Sequence, residues 1–179
     1  MSIDTGLLLI RGAVGLILAA HGAQKLFGWF GGYGLRPTGS FLATTGLKPG
    51  VLWAFLGGLS EFGGGVALAL GFLSPLGSIG VIAAMTTAAL TVHWPRFWMS
   101  DNGIELTLTN ALVALGVAIA GPGLYSVDAA LGIALPQPAT LIVGLVAALL
   151  GVSVATSMTA AARRQQAAQA QSQPVGQAA

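Results

Sequence analysis

The segment from Val51 to Leu73 has the sequence VLWAFLGGLSEFGGGVALALGFL, an apolar run with a single ionisable residue, Glu61. A transmembrane helix needs about 20 mostly apolar residues, so this run is long enough to cross a bilayer. An ionised side chain in the bilayer centre costs at least about 2.5–3.5 kcal/mol, so Glu61 needs a partner or a function. The glycines at positions 57, 58, 63, 64 and 65 predict close helix packing, because small residues let helix backbones approach.

The composition of the whole chain excludes an ordinary soluble domain. Of its 179 residues, 55% are hydrophobic and 7% are charged, whereas soluble domains carry about 25% charged residues. The mean hydropathy of +0.83 agrees. The net charge of +2 is too small to indicate a nucleic-acid partner. The absence of cysteine excludes thiolate metal sites and thiol–disulfide chemistry in this chain.

Four further apolar runs approach the length of a membrane span, and together with the first they predict an all-α integral membrane helical bundle. They are Thr5–Phe27, Pro75–Trp94, Ile104–Ala120 and Ala139–Ala161.

These runs divide the chain into three regions. We predict a four-helix core in residues 1–135, in which an interfacial loop at 28–50 contains a short interfacial or re-entrant helix beginning near Pro37. Residues 136–162 form an additional transmembrane helix. Residues 163–179 are rich in Gln and Ala and form a disordered tail, because they lack apolar surface.

Basic residues predict the topology. With five spans, the 28–50 loop, the loop after Trp94 and the tail share one side of the membrane, and nearly all Lys and Arg residues lie there. The positive-inside rule places that side in the cytoplasm. The N-terminus is then outside and the C-terminus is cytoplasmic, where it is free to contact a partner protein.

Ionisable residues within the spans are the candidate site. His21 and Lys25 are four residues apart and share a helix face. At the standard helical rise, His21 lies about 10 Å deep, Glu61 about 15 Å deep and Arg11 deeper than both. We therefore predict a structural ion pair between Arg11 and Glu61, with His21 nearby. The pair either fixes helix register only or belongs to a polar pocket for a ligand or protons.

The remaining ionisable residues lie near helix ends. His93 falls on the same side as His21 and Lys25, so it is predicted to share their pocket. Glu105 begins the fourth span, where a carboxylate suits the positive end of the helix dipole. Asp128 is predicted to cap or anchor the loop before the fifth span. The histidines and carboxylates match no local metal motif, so no metal site is predicted.

Four motifs resemble the signature of the DoxX family of small bacterial membrane proteins. They are HGAQKLFGWFGG at 21–32, LSEFGGG at 59–65, TVHWP at 91–95 and GPGLYSVD at 121–128. The resemblance covers about residues 7 to 131 and implies a four-helix core in the bacterial plasma membrane. Some relatives are subunits of a thiosulfate–quinone oxidoreductase or of membrane assemblies in oxidative-stress defence.

The resemblance implies a membrane subunit of a quinone-linked oxidoreductase, in sulfur-compound or oxidative-stress metabolism. The expected catalytic residues are His21, Lys25, Glu61 and His93, because His exchanges protons near neutral pH. The expected quinone- or ligand-binding residues are Gln24, Trp29, Phe30 and Trp94. No covalently bound cofactor is expected, so a partner redox protein supplies electrons. A small-molecule or proton transporter and a non-catalytic membrane anchor remain alternatives, and the oligomeric state stays open, a homo-oligomer included.

Overall fold

A computed structural model describes residues 2–172, which are helical without strands. Its seven α-helices are α1 (Ile3–Phe27), α2 (Leu35–Thr44), α3 (Gly50–Leu70), α4 (Leu76–Ala88), α5 (Glu105–Ala120), α6 (Val127–Leu131) and α7 (Ala139–Ser172). A π-helical turn, Ala89–His93, continues α4, and a 3₁₀ turn, Met99–Asp101, lies in the loop before α5.

Local sequence signals account for the ends of the first helix. The Ser2 side chain accepts a hydrogen bond from the Thr5 amide at 3.3 Å, as an N-cap residue does. Asp4 in the first turn favours the positive end of the helix dipole. The helix ends at Gly28, whose φ of 75° is left-handed and suits glycine.

Four helices enclose the hydrophobic core. α1, α3, α4 and α5 contribute the buried residues Leu18, Leu68, Val81, Ala84, Met85, Ala114 and Val117. The α7 helix packs on α4 and its π-helical turn, and the short α2 packs on α3. The predicted arrangement of a helical membrane bundle is confirmed.

Four helices in the described part of the chain are long and apolar enough to cross a membrane. They are Ile3–Phe27, Gly50–Leu70, Leu76–His93 and Ala139–Gln171. The fourth predicted span is present as α5, but its 16 residues extend about 24 Å, less than the hydrocarbon core of about 30 Å.

The two regions predicted to lie outside the spans have different outcomes. The 28–50 loop contains the short helix α2, as the sequence predicted. The predicted disorder of the tail is wrong for residues 163–172, because α7 continues through them to Ser172. Ala, Gln and Arg are good helix formers, and extending an existing helix avoids the unfavourable nucleation step. The rest of the tail, 173–179, lies outside the described residues.

Candidate ligand site

A partly buried ion pair joins α1 to α3. The Lys25 ammonium donates a hydrogen bond to Oε1 of Glu61. The Glu61 side chain is 2% exposed and that of Lys25 is 34% exposed. Glu61 is eleven residues into α3, about 16 Å from its first residue. The carboxylate predicted to need a partner in the bilayer therefore has one.

The predicted ion pair between Arg11 and Glu61 is wrong. The buried Arg11 guanidinium instead donates to the carbonyl oxygens of Ala69 and Tyr125. Ala69 lies in the last turn of α3, where carbonyls lack helical partners and a cation is favoured. Arg11 thus ties α1 and the loop before α6 to the end of α3.

Helix register explains why Lys25 rather than Arg11 pairs with Glu61. A Cβ built on Gly58 would lie 3.4 Å from Cβ of Lys25, and Glu61 is less than one turn further along α3. A Cβ built on Gly71 would lie 3.0 Å from Cζ of Arg11. Ten residues, about 15 Å of helix, separate Gly71 from Glu61. Depths counted separately along α1 and α3 do not show how far one helix is displaced along the other.

The second carboxylate oxygen of Glu61 is chemically distinctive. Oε2 is buried and has no hydrogen-bond partner among the described residues. A buried polar atom without a partner is costly in a low-dielectric interior. Since Oε1 accepts from Lys25, Oε2 is the carboxylate oxygen that remains without a hydrogen-bond donor.

A cavity of about 800 Å³ adjoins the ion pair. Its walls come from α2, α3, α4 with its π-helical turn, α7, the loop after Trp94 and Lys25 of α1. Most of the lining is apolar, and Lys25 and Glu61 add charge at the α1–α3 wall. The volume lies within the range of about 300–1,000 Å³ typical of small-molecule sites.

Three of the predicted catalytic residues line this cavity: Lys25, Glu61 and His93. His93 is half-buried, and its Nδ1 is 2.7 Å from the carbonyl oxygen of Asn102. The fourth, His21, is exposed and is not among the lining residues of the described chain. His21 therefore lies outside the cavity lining, although it is only one helical turn from Lys25.

The predicted binding residues lie elsewhere. Trp29, Phe30 and Trp94 are exposed and do not line the cavity within the described residues. Gln24 donates from Nε2 to the Phe30 carbonyl at 3.1 Å. It therefore holds the loop after α1 and does not line the cavity.

The aromatic walls are Phe41 of α2 and Trp53 of α3, which the sequence reasoning missed. Trp53, Gly57 and Ser60 all line the cavity beside Glu61, and their spacing of four and three residues places them on one helix face. That periodicity was a usable signal for Trp53. No comparable signal identified Phe41, because only the folding of α2 against α3 brings it to the cavity.

The π-helical turn is held by the C-terminal helix. Nη2 of Arg163 donates to the carbonyl of Thr91 at 3.2 Å, and the Thr91 hydroxyl donates to the Thr87 carbonyl at 2.8 Å. Thr91 and His93 line the cavity. The extended part of α7 therefore supports one cavity wall.

The two remaining acidic predictions are structural. Asp128 is 4% exposed, and its two oxygens accept from the amides of Leu73 and Ser74, each at 2.8 Å. It anchors the turn between α3 and α4 to the short helix α6. Glu105, at the start of α5, accepts from the Met99 amide at 2.9 Å. Within residues 2–172, His, Asp and Glu side chains form no group of three able to hold a metal ion.

The fold and this site define a helical membrane protein with a partly buried ion pair beside a largely apolar cavity. Residues 6–94 match the model of the DoxX family, which confirms the resemblance over this segment. The matched segment runs from α1 to the end of the π-helical turn, so the resemblance suggested from 95 to 131 stays a prediction. We found no match among curated proteins or among solved structures.

Proposed function

We propose that the protein is the quinone-binding membrane subunit of a quinone-linked oxidoreductase system. The observation that carries the proposal is the Lys25–Glu61 pair, with one unpartnered carboxylate oxygen, at the wall of an apolar cavity of about 800 Å³. A lipophilic ring with two carbonyl acceptors matches this combination of apolar walls and few polar groups.

The residues at the cavity suit the head group of a quinone. The Lys25 ammonium has three donors, of which one goes to Glu61, so it can also donate to a ligand carbonyl. Phe41 and Trp53 offer aromatic faces for an offset stack on the ring.

Reduction of a bound quinone takes up two electrons and two protons. Glu61 has an oxygen free to carry a proton, and His93 lies at the cavity wall beside the exposed residues Arg96 and Asn102. We assign proton delivery to Glu61 and His93. Electrons come from a partner redox protein, and sulfur-compound or oxidative-stress metabolism is the proposed setting.

The proposed location is the bacterial plasma membrane, with the cavity half of the bundle toward the cytoplasm. The loop containing α2, the loop after Trp94 and the end of α7 lie at the same end of the helices, because successive spans alternate in direction. Most basic residues are at that end: Lys25, Arg36, Lys48, Arg96, Arg163 and Arg164. The positive-inside rule makes it cytoplasmic, which leaves the extension of α7 accessible to a partner.

Binding of a short-chain ubiquinone to the purified protein in nanodiscs tests the proposal. Glu61→Gln should weaken binding about tenfold or more, since it removes the ion pair and the proton-carrying oxygen. Glu105→Gln makes the same chemical change outside the cavity and should leave the affinity unchanged. If the native protein binds no quinone, or if both variants bind as it does, the proposal is wrong.

A second measurement separates this proposal from transport. Flux of a small molecule or of protons into proteoliposomes without an electron donor would instead show a transporter.

If cavity variants are silent while deletion of residues 163–172 releases a redox partner, the protein is a non-catalytic anchor.

A further inference from the structure

The cavity lies between two helices that do not close over it. α3 and α7 each pack on α4, but within the described part of the chain they make at most isolated close backbone contacts with each other. The floor between them is made of small side chains of α4, Ala83, Ala84, Thr87 and Ala88. The two walls include Leu56 and Gly57 on α3, and Ala147 and Gly151 on α7.

Gly57 and Gly151 lie at the same level on opposite walls. A Cβ built on Gly64 would lie 3.3 Å from the amide nitrogen of Val81, and one built on Gly144 would lie 3.2 Å from Cγ1 of Ile79. Both α3 and α7 are therefore beside the same part of α4 at these glycines. Gly57 is seven residues before Gly64, and Gly151 is seven residues after Gly144. Because the helices run in opposite directions, both lie about 10 Å further toward the α2 end.

Both glycines border open space. A Cβ built on either one would meet no atom of the described residues within 4 Å, the helix's own nearby backbone excepted. Gly57 is seven residues into the 21-residue α3, about 10 Å from its start. That depth lies within the hydrocarbon layer of a bilayer about 30 Å thick. An opening of the cavity between the walls at this level would therefore face acyl chains.

We propose that the cavity opens sideways into the bilayer between Gly57 and Gly151, and that this groove holds the apolar tail of the ligand whose head contacts Lys25 and Glu61. The inference rests on the proposed function and names its substrate class: an amphipathic quinone with a long isoprenoid chain, taken from the lipid phase. A single ring would leave most of about 800 Å³ unfilled, and protein interiors are close-packed.

The continuity of the cavity identifies the occupant. The same volume is lined by the charged pair, by the apolar Leu56 and Val152, and by the two glycines. A molecule with one polar end and one apolar chain matches a cavity that is charged at one end and apolar along the rest. The second route to the head-group position passes the exposed residues Arg96 and Asn102, which suits a small polar analogue better than a long chain.

A bulky substitution at the groove tests the inference. Gly151→Phe should weaken binding of a ubiquinone with a long isoprenoid tail about tenfold or more, while a tailless ubiquinone head group keeps its affinity within about twofold. Gly116→Phe is the matched control, because Gly116 is an exposed helical glycine of α5 whose built Cβ also meets open space. It should change neither affinity. Thermal unfolding of each variant in detergent checks that the fold is retained. Gly151→Ala adds a smaller side chain at the same position.

The outcomes distinguish this inference from the function on which it rests. Equal binding of the long-tailed quinone by native and groove variants overturns the lateral groove and leaves the quinone site intact. Equal losses for both ligands also overturn it, because the substitutions then disturb the head-group site. If native protein binds neither ligand, the proposed function fails. A phospholipid co-purifying with the native protein but not with Gly151→Phe would show that another lipid occupies the groove, which also overturns the inference.

Discussion

Gly22 of α1 lies directly against the carbonyl of Gly58 of α3: a Cβ built on Gly22 would be 2.7 Å from that oxygen. Seven residues earlier on α1, a Cβ on Gly15 would be 2.6 Å from the carbonyl oxygen of Gly65, seven residues later on α3. The two contacts define a single antiparallel register. In that register Lys25 is beside Glu61 and Arg11 is beside the end of α3.

Gly22→Ala should destabilise the protein by about 1–3 kcal/mol, because the added methyl group forces two backbones apart. Gly12→Ala on the same helix is the matched control. Its Cβ would meet open space within the described structure, so it should be neutral or stabilising by up to about 1 kcal/mol. Thermal unfolding in detergent measures both, and equal unfolding temperatures would contradict the proposed packing.

Lys25→Met should lower stability by up to about 3 kcal/mol, because it leaves the Glu61 carboxylate buried without its cation. The 34% exposure of Lys25 lets solvent screen part of this loss. The double variant Lys25→Met with Glu61→Leu should recover most of the stability, since a buried ion pair is replaceable by apolar side chains. Chemical denaturation in detergent gives the values. Recovery of quinone binding by the double variant would contradict the role of the pair in the site.

Arg11→Met should destabilise the protein by about 1–3 kcal/mol while leaving quinone affinity unchanged. The substitution leaves the carbonyls of Ala69 and Tyr125 without their donor. These carbonyls lie near the opposite end of α3 from the cavity. Unfolding and binding are measured on the same preparation. A loss of quinone affinity without a loss of stability would instead indicate that Arg11 belongs to the ligand site.

His21→Ala and His93→Ala separate the two histidines. His21 is exposed and outside the cavity lining of the described chain, so its substitution should leave quinone-dependent turnover unchanged. His93 lines the cavity, and its removal should slow turnover about tenfold or more if it delivers protons. Turnover is measured with the partner redox protein in the native membrane. The reverse ranking would contradict the site described here.

Much of the fold was predictable from residues 51–73 and the runs around them. An uninterrupted apolar run of sufficient length has few alternatives to a membrane helix, because backbone groups in lipid must pair within the helix. The need of Glu61 for a partner was also predictable, because an unpaired charge in the bilayer is costly. The helical structure of residues 163–172 was not predictable, because the composition of a segment indicates only whether it can fold alone. It does not show that the segment continues α7.

The amino-acid sequence by itself determined the helical membrane fold, the glycine-mediated packing and the burial of Glu61. Only the tertiary structure decided that Lys25 is the partner of Glu61, that His93 rather than His21 reaches the cavity, and that α3 and α7 leave a gap between them. Helical periodicity specifies faces and depths along one helix. The displacement of one helix along another depends on how their surfaces pack. Here the close contacts of Gly22 with Gly58 and of Gly15 with Gly65 establish it.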